Sequence, residues 1–187
     1  MSQPKMRENS SKYNWYVVTG GPSSGKTTVL KELERRGYII FPEAARLLID
    51  EEMGEGKTLE EIRSNEAEFQ KRVLKKKLEI EKKAPRDKII FFDRAIPDSI
   101  AYYQLCGLKA ADALKFCKKG RYKKVFLFEQ LSFIRDYARN ENDRTVKKLN
   151  RLLEESYKRL NYKIIRVPVA SVDKRVKRIL EEIEAFI

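Results

Sequence analysis

The segment GGPSSGKT, residues Gly20–Thr27, fits the pattern G-x-x-x-x-G-K-[ST] at every fixed position. Small residues in such a loop let successive backbone N–H groups converge on phosphate oxygens. A helix that follows the loop directs the positive end of its dipole at the same anion. The pattern therefore predicts a phosphate-binding loop, called the P-loop below.

The sequence on both sides of the P-loop supports this interpretation. Trp15 to Val18 is an apolar run typical of a buried strand, and Thr27 to Arg36 has the spacing of an amphipathic helix. In this context we expect Lys26 to contact the β/γ-phosphates of ATP or GTP and Thr27 to hold Mg²⁺. The predicted nucleotide-binding residues of the loop are Gly20, Gly21, Pro22, Ser23, Ser24, Gly25, Lys26, Thr27 and Thr28.

The composition limits the class of protein. A chain of 187 residues is long enough for one α/β domain, which we expect over residues 13–187, after a flexible tail over residues 1–12. The sequence contains no apolar run of membrane-spanning length and only two cysteines, so we expect a cytoplasmic protein. Histidine is absent, which leaves a carboxylate as the expected general base.

The net charge of +13 favours anionic partners. A nucleic acid or an anionic lipid surface is compatible with this charge but not favoured, because the lysine clusters are scattered among glutamates and are typical of solvated helix faces. These clusters are Lys75–Lys77, Lys82–Lys83, Lys118–Lys119, Lys123–Lys124 and Lys147–Lys148. Nothing in the sequence indicates an oligomeric state.

Apolar runs alternate with helical patterns along the whole chain. The predicted strands are Trp15–Val18, Tyr38–Phe41, Lys88–Asp93, Lys123–Phe128 and Tyr162–Val167. The predicted helices are Thr27–Arg36, Glu43–Met53, a long helix over Thr58–Ala84, Pro97–Leu105, Lys109–Lys118, Asp143–Leu160 and Ser171–Phe186. Strands separated by helices predict an α/β fold with three α/β/α layers and a mainly parallel sheet of five strands.

Residues that follow the strands are the candidates for chemistry, since ligands gather at the carboxyl ends of parallel strands. Asp93 ends an apolar strand, as expected of an aspartate that holds Mg²⁺, although a simple strand-end cap is the alternative. Glu43 could accept a proton from an attacking hydroxyl or only stabilise the first turn of its helix. Arg94 and Arg46 could bind an anionic or hydroxylated acceptor or form ion pairs with neighbouring acids.

The segment over residues 133–144 is rich in arginine and precedes a predicted helix. We expect a lid there that brings Arg135, Arg139 or Arg144 onto the transferring phosphate. A solvent-exposed helix with salt bridges is the alternative.

The chain resembles a family of P-loop ATPase and kinase domains, often labelled AAA. The family includes the nicotinamide riboside kinase part of bacterial NadR proteins and an animal branch associated with GTP and phosphoinositide binding. The resemblance rests on five segments spread over nearly the whole chain: Val17–Thr28, Gly37–Arg46, Phe92–Tyr102, Asp136–Glu141 and Leu160–Arg175.

The resemblance implies the fold of nucleoside and nucleotide kinases. It implies Glu43 as the base, Arg94 as a ligand of the acceptor or of phosphate, and Val167 and Pro168 beside the purine ring. Asn161 replaces the usual glycine of the family, and Glu129-Gln130 stands where relatives often have proline.

We therefore expect an Mg²⁺-dependent kinase that moves the γ-phosphoryl group of ATP or GTP to a small acceptor, such as a nucleoside or nucleotide. The alternative is a slow NTPase that regulates an anionic partner, namely a phosphoinositide, an RNA or an acidic protein tail. The sequence contains no N-K-x-D guanine motif, and the choice between ATP and GTP stays open.

Overall fold

The computed structural model describes residues 11, 13–131 and 140–184. Its sheet has five strands in the order β2-β3-β1-β4-β5, and every neighbouring pair is parallel. The strands are β1 Trp15–Thr19, β2 Ile39–Phe41, β3 Ile90–Asp93, β4 Lys124–Phe128 and β5 Ile164–Val167. The predicted five-stranded parallel sheet is confirmed.

Helices connect the strands along the described chain. They are α1 Lys26–Arg35, α2 Ala44–Gly54, α3 Leu59–Arg63, α4 Glu66–Lys83, α5 Asp98–Leu105, α6 Ala110–Leu114, α7 Asn140–Arg159 and α8 Val172–Glu184. None of the helices in these ranges is long and apolar enough to cross a membrane.

The prediction of one long helix over Thr58–Ala84 is wrong, because this segment forms two helices, α3 and α4. Thr58 and Glu61 make the predicted capping box at the start of α3. Asn65 then has an extended backbone, and its side chain accepts a hydrogen bond from Glu68 N at 3.1 Å, which starts α4. This second N-cap separates the helices.

The predicted helix over Lys109–Lys118 is also shorter than expected. Only Ala110–Leu114 is α-helical. Phe116 N and Cys117 N then donate to carbonyls three residues back, a 3₁₀-type pattern that often ends a helix.

Both faces of the sheet are covered. Along β1, Trp15 and Val17 pack in one hydrophobic cluster with residues of α4, α5 and α7, and Tyr16 and Val18 pack in another with residues of α1 and α8. All four side chains are buried. Successive strand residues point to opposite faces, so this pattern requires helices on each side and confirms the predicted three layers.

A buried carboxylate joins β1, α5 and α7 behind the sheet edge. Asp98 is fully buried and accepts hydrogen bonds from the hydroxyls of Thr19 and Tyr157 and from Ala95 N. The Arg94 guanidinium lies 3.6 Å from the same carboxylate. A buried charge is stable only when it is paired and hydrogen-bonded, and Asp98 is both.

We predict that Asp98→Ala lowers the free energy of unfolding by about 3–5 kcal/mol, because it removes the acceptor of two buried hydroxyls and one of the two carboxylates paired with the buried Arg94. Urea unfolding followed through the fluorescence of Trp15, the single tryptophan, measures the change. Asp112→Ala is the control, since the Asp112 side chain is 57% exposed and should change stability by less than about 0.5 kcal/mol. Equal stability of the two variants would contradict the prediction.

Candidate active site

The backbone of the P-loop requires glycine at two positions. Gly20 has φ +139°, and a Cβ atom there would lie 2.7 Å from the carbonyl oxygen of Phe128. Gly25 has φ +82°, and a Cβ atom there would lie 2.8 Å from Arg175 Nη1. Both backbones lie in the region that L side chains rarely adopt, so these glycines allow the loop to pack against the sheet edge.

The Lys26 side chain folds back over the P-loop. Its Nζ donates to Gly21 O at 2.7 Å and to Ser24 Oγ at 3.0 Å. Burial, together with the positive charge of Arg94, lowers the pKa of Lys26 to about 8. The ammonium group is thus held at the loop by neutral oxygens and has no carboxylate in an ion pair among the described residues, which leaves its charge available to an anion.

Three side chains outside the loop hold its shape, and sequence analysis did not single them out as site residues. Asn150 Oδ1 accepts a hydrogen bond from Gly21 N at 2.6 Å, and Gln130 Nε2 donates to Pro22 O at 2.8 Å. Arg175 donates from Nη1 to Ser24 O at 2.7 Å and from Nε to Pro168 O at 2.9 Å. They come from distant parts of the chain, and although Arg175 belongs to a segment that carries the family resemblance, nothing in the sequence places these three side chains at the P-loop.

The remaining predicted loop residues differ in exposure. Ser24 is buried and donates from Oγ to Gly21 O, closing the loop on itself. Pro22, Ser23, Thr27 and Thr28 are exposed. The Thr27 hydroxyl is therefore accessible to a ligand at the start of α1.

Asp93 lies at the end of β3, as predicted, and its surroundings fit a metal ligand. Its Oδ1 is buried and has no hydrogen-bond partner among the described residues. Burial, and then the negative charge of Glu43, raises the pKa of Asp93 to about 6. The unused oxygen argues against a strand-end cap, since a cap would use it in a hydrogen bond.

The donor set around Asp93 suits Mg²⁺. Carboxylate and hydroxyl oxygens are the hard ligands that this ion prefers, and it commonly binds through one or two protein groups together with substrate phosphates. Within the part of the chain that the structure describes, no cluster of three or more acidic, cysteine or histidine residues could hold a metal alone. Thr27 and Asp93 are the predicted residues that could hold such an ion together with a nucleotide.

Glu43 and Arg94 form an ion pair across the ends of β2 and β3. Arg94 Nε donates to Glu43 Oε1 at 2.8 Å, and the Arg94 side chain is 4% exposed while that of Glu43 is 35% exposed. Glu43 is the N-cap of α2, but its side chain makes no capping hydrogen bond. Its carboxylate is thus directed at Arg94 and not at the helix terminus.

Arg94 has an unusual backbone and an unused hydrogen-bond donor. Its φ of +63° is left-handed, a conformation that costs a non-glycine residue about 1–3 kcal/mol. Its Nη1 is buried without a hydrogen-bond partner in the described structure. Such strain and unused donors cluster at functional sites, where a ligand can satisfy them.

An open cavity of about 370 Å³ adjoins this ion pair. Its walls come from α2, α3, α4 and α5 and from the end of β3, and they combine aliphatic, aromatic, amide and charged groups. The polar and aromatic residues around it include Glu43, Arg46, Asp50, Phe69, Gln70 and Arg94. The cavity is large enough for a ring-bearing small molecule, since ligand pockets measure ~300–1,000 Å³.

The predicted lid is only partly described. Arg135 and Arg139 lie outside the described residues. Arg144 lies in α7 and is exposed. The same helix passes close to the P-loop, because a Cβ atom on Gly21 would lie 3.1 Å from Val146 Cγ1.

Val167 and Pro168 lie at the end of β5, on the P-loop side of the sheet. Val167 is fully buried in the core, and its carbonyl oxygen accepts a hydrogen bond from Glu129 N at 3.0 Å. Pro168 is exposed, and its carbonyl is connected to the P-loop through Arg175.

Comparisons with known proteins identify the family. A family model described as AAA domain matches residues 15–175, which is most of the chain. Among curated proteins, no sequence matches significantly.

Solved structures share the fold at low sequence identity. The NadR protein in complex with NR is 13% identical, with a TM-score of 0.65, and the match covers 93% of this chain and 50% of the NadR chain. The chain therefore spans half the length of that relative.

Two further structures match over almost their full length. Deoxyadenosine kinase from M. mycoides with bound dATP is 18% identical, with a TM-score of 0.60 and coverage of 91% and 99% of the two chains. Thymidylate kinase from Ehrlichia chaffeensis is 13% identical, with a TM-score of 0.62 and coverage of 93% and 99%. Because its P-loop, sheet order and family match agree, the chain belongs to the AAA domain family and has the P-loop fold of nucleoside and nucleotide kinases.

Proposed function

We propose that this protein is a Mg²⁺-dependent phosphotransferase that moves the γ-phosphoryl group of ATP or GTP to a small acceptor such as a nucleoside or nucleotide. One observation carries the proposal: the Glu43–Arg94 pair lines the 370 Å³ cavity, and the charges of both residues act on the pKa of Lys26 in the P-loop. A P-loop next to a separate polar cavity suits the transfer of a phosphoryl group between two bound molecules. Simple hydrolysis needs no such cavity.

On the donor side, the backbone of Gly20–Thr28 would surround the phosphates and Lys26 would pair with the β/γ-phosphates. The Lys26 ammonium would exchange two neutral oxygen partners for a charged one, which strengthens the contact. Thr27 and Asp93 would hold Mg²⁺, which when bound neutralises charge on the transferring phosphate.

On the acceptor side, the oxygen of the acceptor hydroxyl would bond to the γ-phosphorus while the bond from that phosphorus to the leaving ADP or GDP breaks. Glu43 would accept the proton that the hydroxyl loses. Arg94 would orient Glu43 through their 2.8 Å hydrogen bond and donate a hydrogen bond from Nη1, which makes none in the described structure, to the acceptor or the phosphate. Where the acceptor group is itself a phosphate, no proton transfer is needed, and Arg94 contributes more than Glu43 because it binds that phosphate.

The solved structures of this fold support phosphoryl transfer as the reaction class. The solved structures of this fold include a deoxyadenosine kinase with dATP and two thymidylate kinases. They also include a shikimate kinase, whose acceptor is named as shikimate and not a nucleotide. The fold therefore supports phosphate transfer more strongly than it supports any one acceptor. Arg135, Arg139 and Arg144 stay predictions for stabilising the developing charge.

We predict that Glu43→Gln lowers kcat by about 10²–10⁴-fold for a hydroxyl acceptor, because the amide cannot accept the proton. The KM for ATP should stay near its wild-type value, since the amide oxygen can still receive the hydrogen bond from Arg94. The assay is ADP or GDP release from Mg²⁺-ATP or Mg²⁺-GTP with a panel of nucleosides, nucleotides and nicotinamide riboside.

Glu55→Gln is the matched control, because Glu55 follows the same helix, is 69% exposed and lies outside the cavity. Its kcat should equal that of the wild type. Acceptor-dependent turnover that survives in Glu43→Gln would contradict the role of base. Tight nucleotide binding without stimulation by any acceptor would instead favour a regulatory nucleotide-binding protein.

We predict that the affinity for a Mg²⁺-free, non-hydrolysable ATP analogue falls about tenfold between pH 7 and pH 9. As the pH rises through the Lys26 pKa of about 8, the ammonium loses its proton and its attraction for phosphate. Equilibrium binding at several pH values measures the fall.

Lys26→Arg is the control for this pH dependence, because a guanidinium stays charged throughout the range. Whatever its absolute affinity, it should vary little between pH 7 and pH 9. A wild-type affinity that is flat over this range would show that the charge of Lys26 does not titrate there.

A further inference from the structure

A second open cavity, of about 510 Å³, lies at the opposite edge of the sheet. Trp15, the first residue of β1, forms part of its wall, and Arg121 lies three residues before β4 begins. The P-loop follows the carboxyl end of β1, so the two sites are separated by the length of the strands. Nothing in the proposed phosphotransfer uses this cavity.

The cavity is strongly cationic. Five cationic side chains and one carboxylate line it, which leaves four positive charges in excess. The cationic residues are Lys82, Arg86, Lys118, Lys119 and Arg121. The carboxylate, Glu81, is buried and already accepts hydrogen bonds from Arg121 and from the Tyr122 hydroxyl, both at 2.6 Å.

Four of the five cations keep their charge uncompensated. Lys82, Arg86, Lys118 and Lys119 form no ion pair with any described carboxylate, and only Arg121 does so. The folded chain thus gathers four exposed cations without an ion pair around one cavity. An anion in the cavity would pair with them.

These charges come from segments that are distant in the sequence. Lys82 belongs to the end of α4, and Lys118-Lys119 belongs to the turn before β4. In the sequence the two clusters look like separate solvated faces. The parallel sheet places the ends of both segments at one edge, which makes them the two sides of a single cavity.

Hydrogen bonds of the surrounding structure fix the backbone on both sides of the cavity. The Tyr162 hydroxyl donates to Lys118 O at 2.9 Å and accepts from Arg121 N at 3.1 Å, which fixes the cationic turn. On the other side, Trp15 Nε1 donates to Pro85 O at 2.7 Å, and the Arg86 guanidinium lies 5.6 Å from the centre of the Tyr13 ring. A preformed arrangement lowers the entropic cost of binding a ligand.

We propose that this cavity is a second anion site, which binds a small molecule carrying two or more phosphate groups. Cations on both walls suit a ligand with several charges more than a single phosphate, because one phosphate would leave most of the positive charge unpaired. The concave shape favours a small molecule over an extended strand of nucleic acid, which a flat stripe of charge would suit better.

The test uses sodium tripolyphosphate without Mg²⁺ as the probe and Lys26→Ala to disable the P-loop. Calorimetric titration should give two sites per wild-type chain and one per Lys26→Ala chain. Trp15 is the only tryptophan and lines the cavity, so its emission should change when Lys26→Ala binds the probe.

Adding Lys118→Gln and Lys119→Gln to Lys26→Ala should weaken the remaining site by at least about tenfold. The matched control adds Lys31→Gln and Lys109→Gln, which remove the same charge from exposed positions outside both sites and should change the affinity little. In the wild-type background, Lys118→Gln with Lys119→Gln should leave one probe site and unchanged nucleotide turnover, so this test can fail without affecting the proposed phosphotransfer.

Three results would overturn the proposal. Loss of all probe binding in Lys26→Ala would place the only site at the P-loop. Equal weakening by the control substitutions would show that net charge alone attracts the probe. Tighter binding of a 12-nucleotide RNA than of tripolyphosphate to Lys26→Ala would assign the patch to nucleic acid.

Discussion

In the sheet, Val18 of β1 is paired in parallel with Asp93 of β3 and with Phe126 of β4, and the geometry of the candidate active site depends on this alignment. Together with the pairing of Phe41 of β2 with Phe92 of β3, it brings the segments after β1, β2 and β3 to the same edge, so that the P-loop, the start of α2 and Asp93-Arg94 meet there. A shift of one residue in β3 would turn Asp93 to the other face of the sheet and remove its carboxylate from the site. The hydrogen bond from Arg94 N to Val18 O at 2.9 Å extends the same pairing into the loop.

Burial at this edge of the sheet disfavours the charged forms of Lys26 and Asp93. A nucleotide beside Lys26 and a metal ion beside Asp93 would favour these charged forms again. The pKa of Lys26 falls to about 8 and that of Asp93 rises to about 6, with loss of hydration as the first cause for both groups. An anion beside Lys26 would raise its pKa again, and a cation beside Asp93 would lower that of the carboxyl. Burial of these two groups therefore has an electrostatic cost that ligands of opposite charge would relieve, and such perturbed pKa values are typical of functional sites.

Charged side chains are compensated differently at the two edges of the sheet, the edge at the carboxyl ends of the strands and the edge at their amino ends. At the carboxyl edge, Arg94 is compensated by Glu43 and Asp98, and the network is held by side chains from α5 and α7. At the amino edge, one carboxylate faces five cations. The charge of +13 is thus not spread evenly, and part of it is gathered in a cavity away from the P-loop.

The P-loop and the alternation of strands and helices were sufficient to predict the parallel three-layer fold, because both depend on local spacing of glycine and apolar residues. Asp93 and Glu43 could be proposed as site residues for the same reason, since each follows a recognisable strand. The break at Asn65 was missed because one local hydrogen bond outweighed a continuous helical pattern. Asn150, Gln130 and Arg175 hold the P-loop, and the lysines of α4 and of the turn before β4 share a cavity. Only the tertiary structure decided these contacts, because they join residues more than 30 positions apart that no periodicity in the sequence connects.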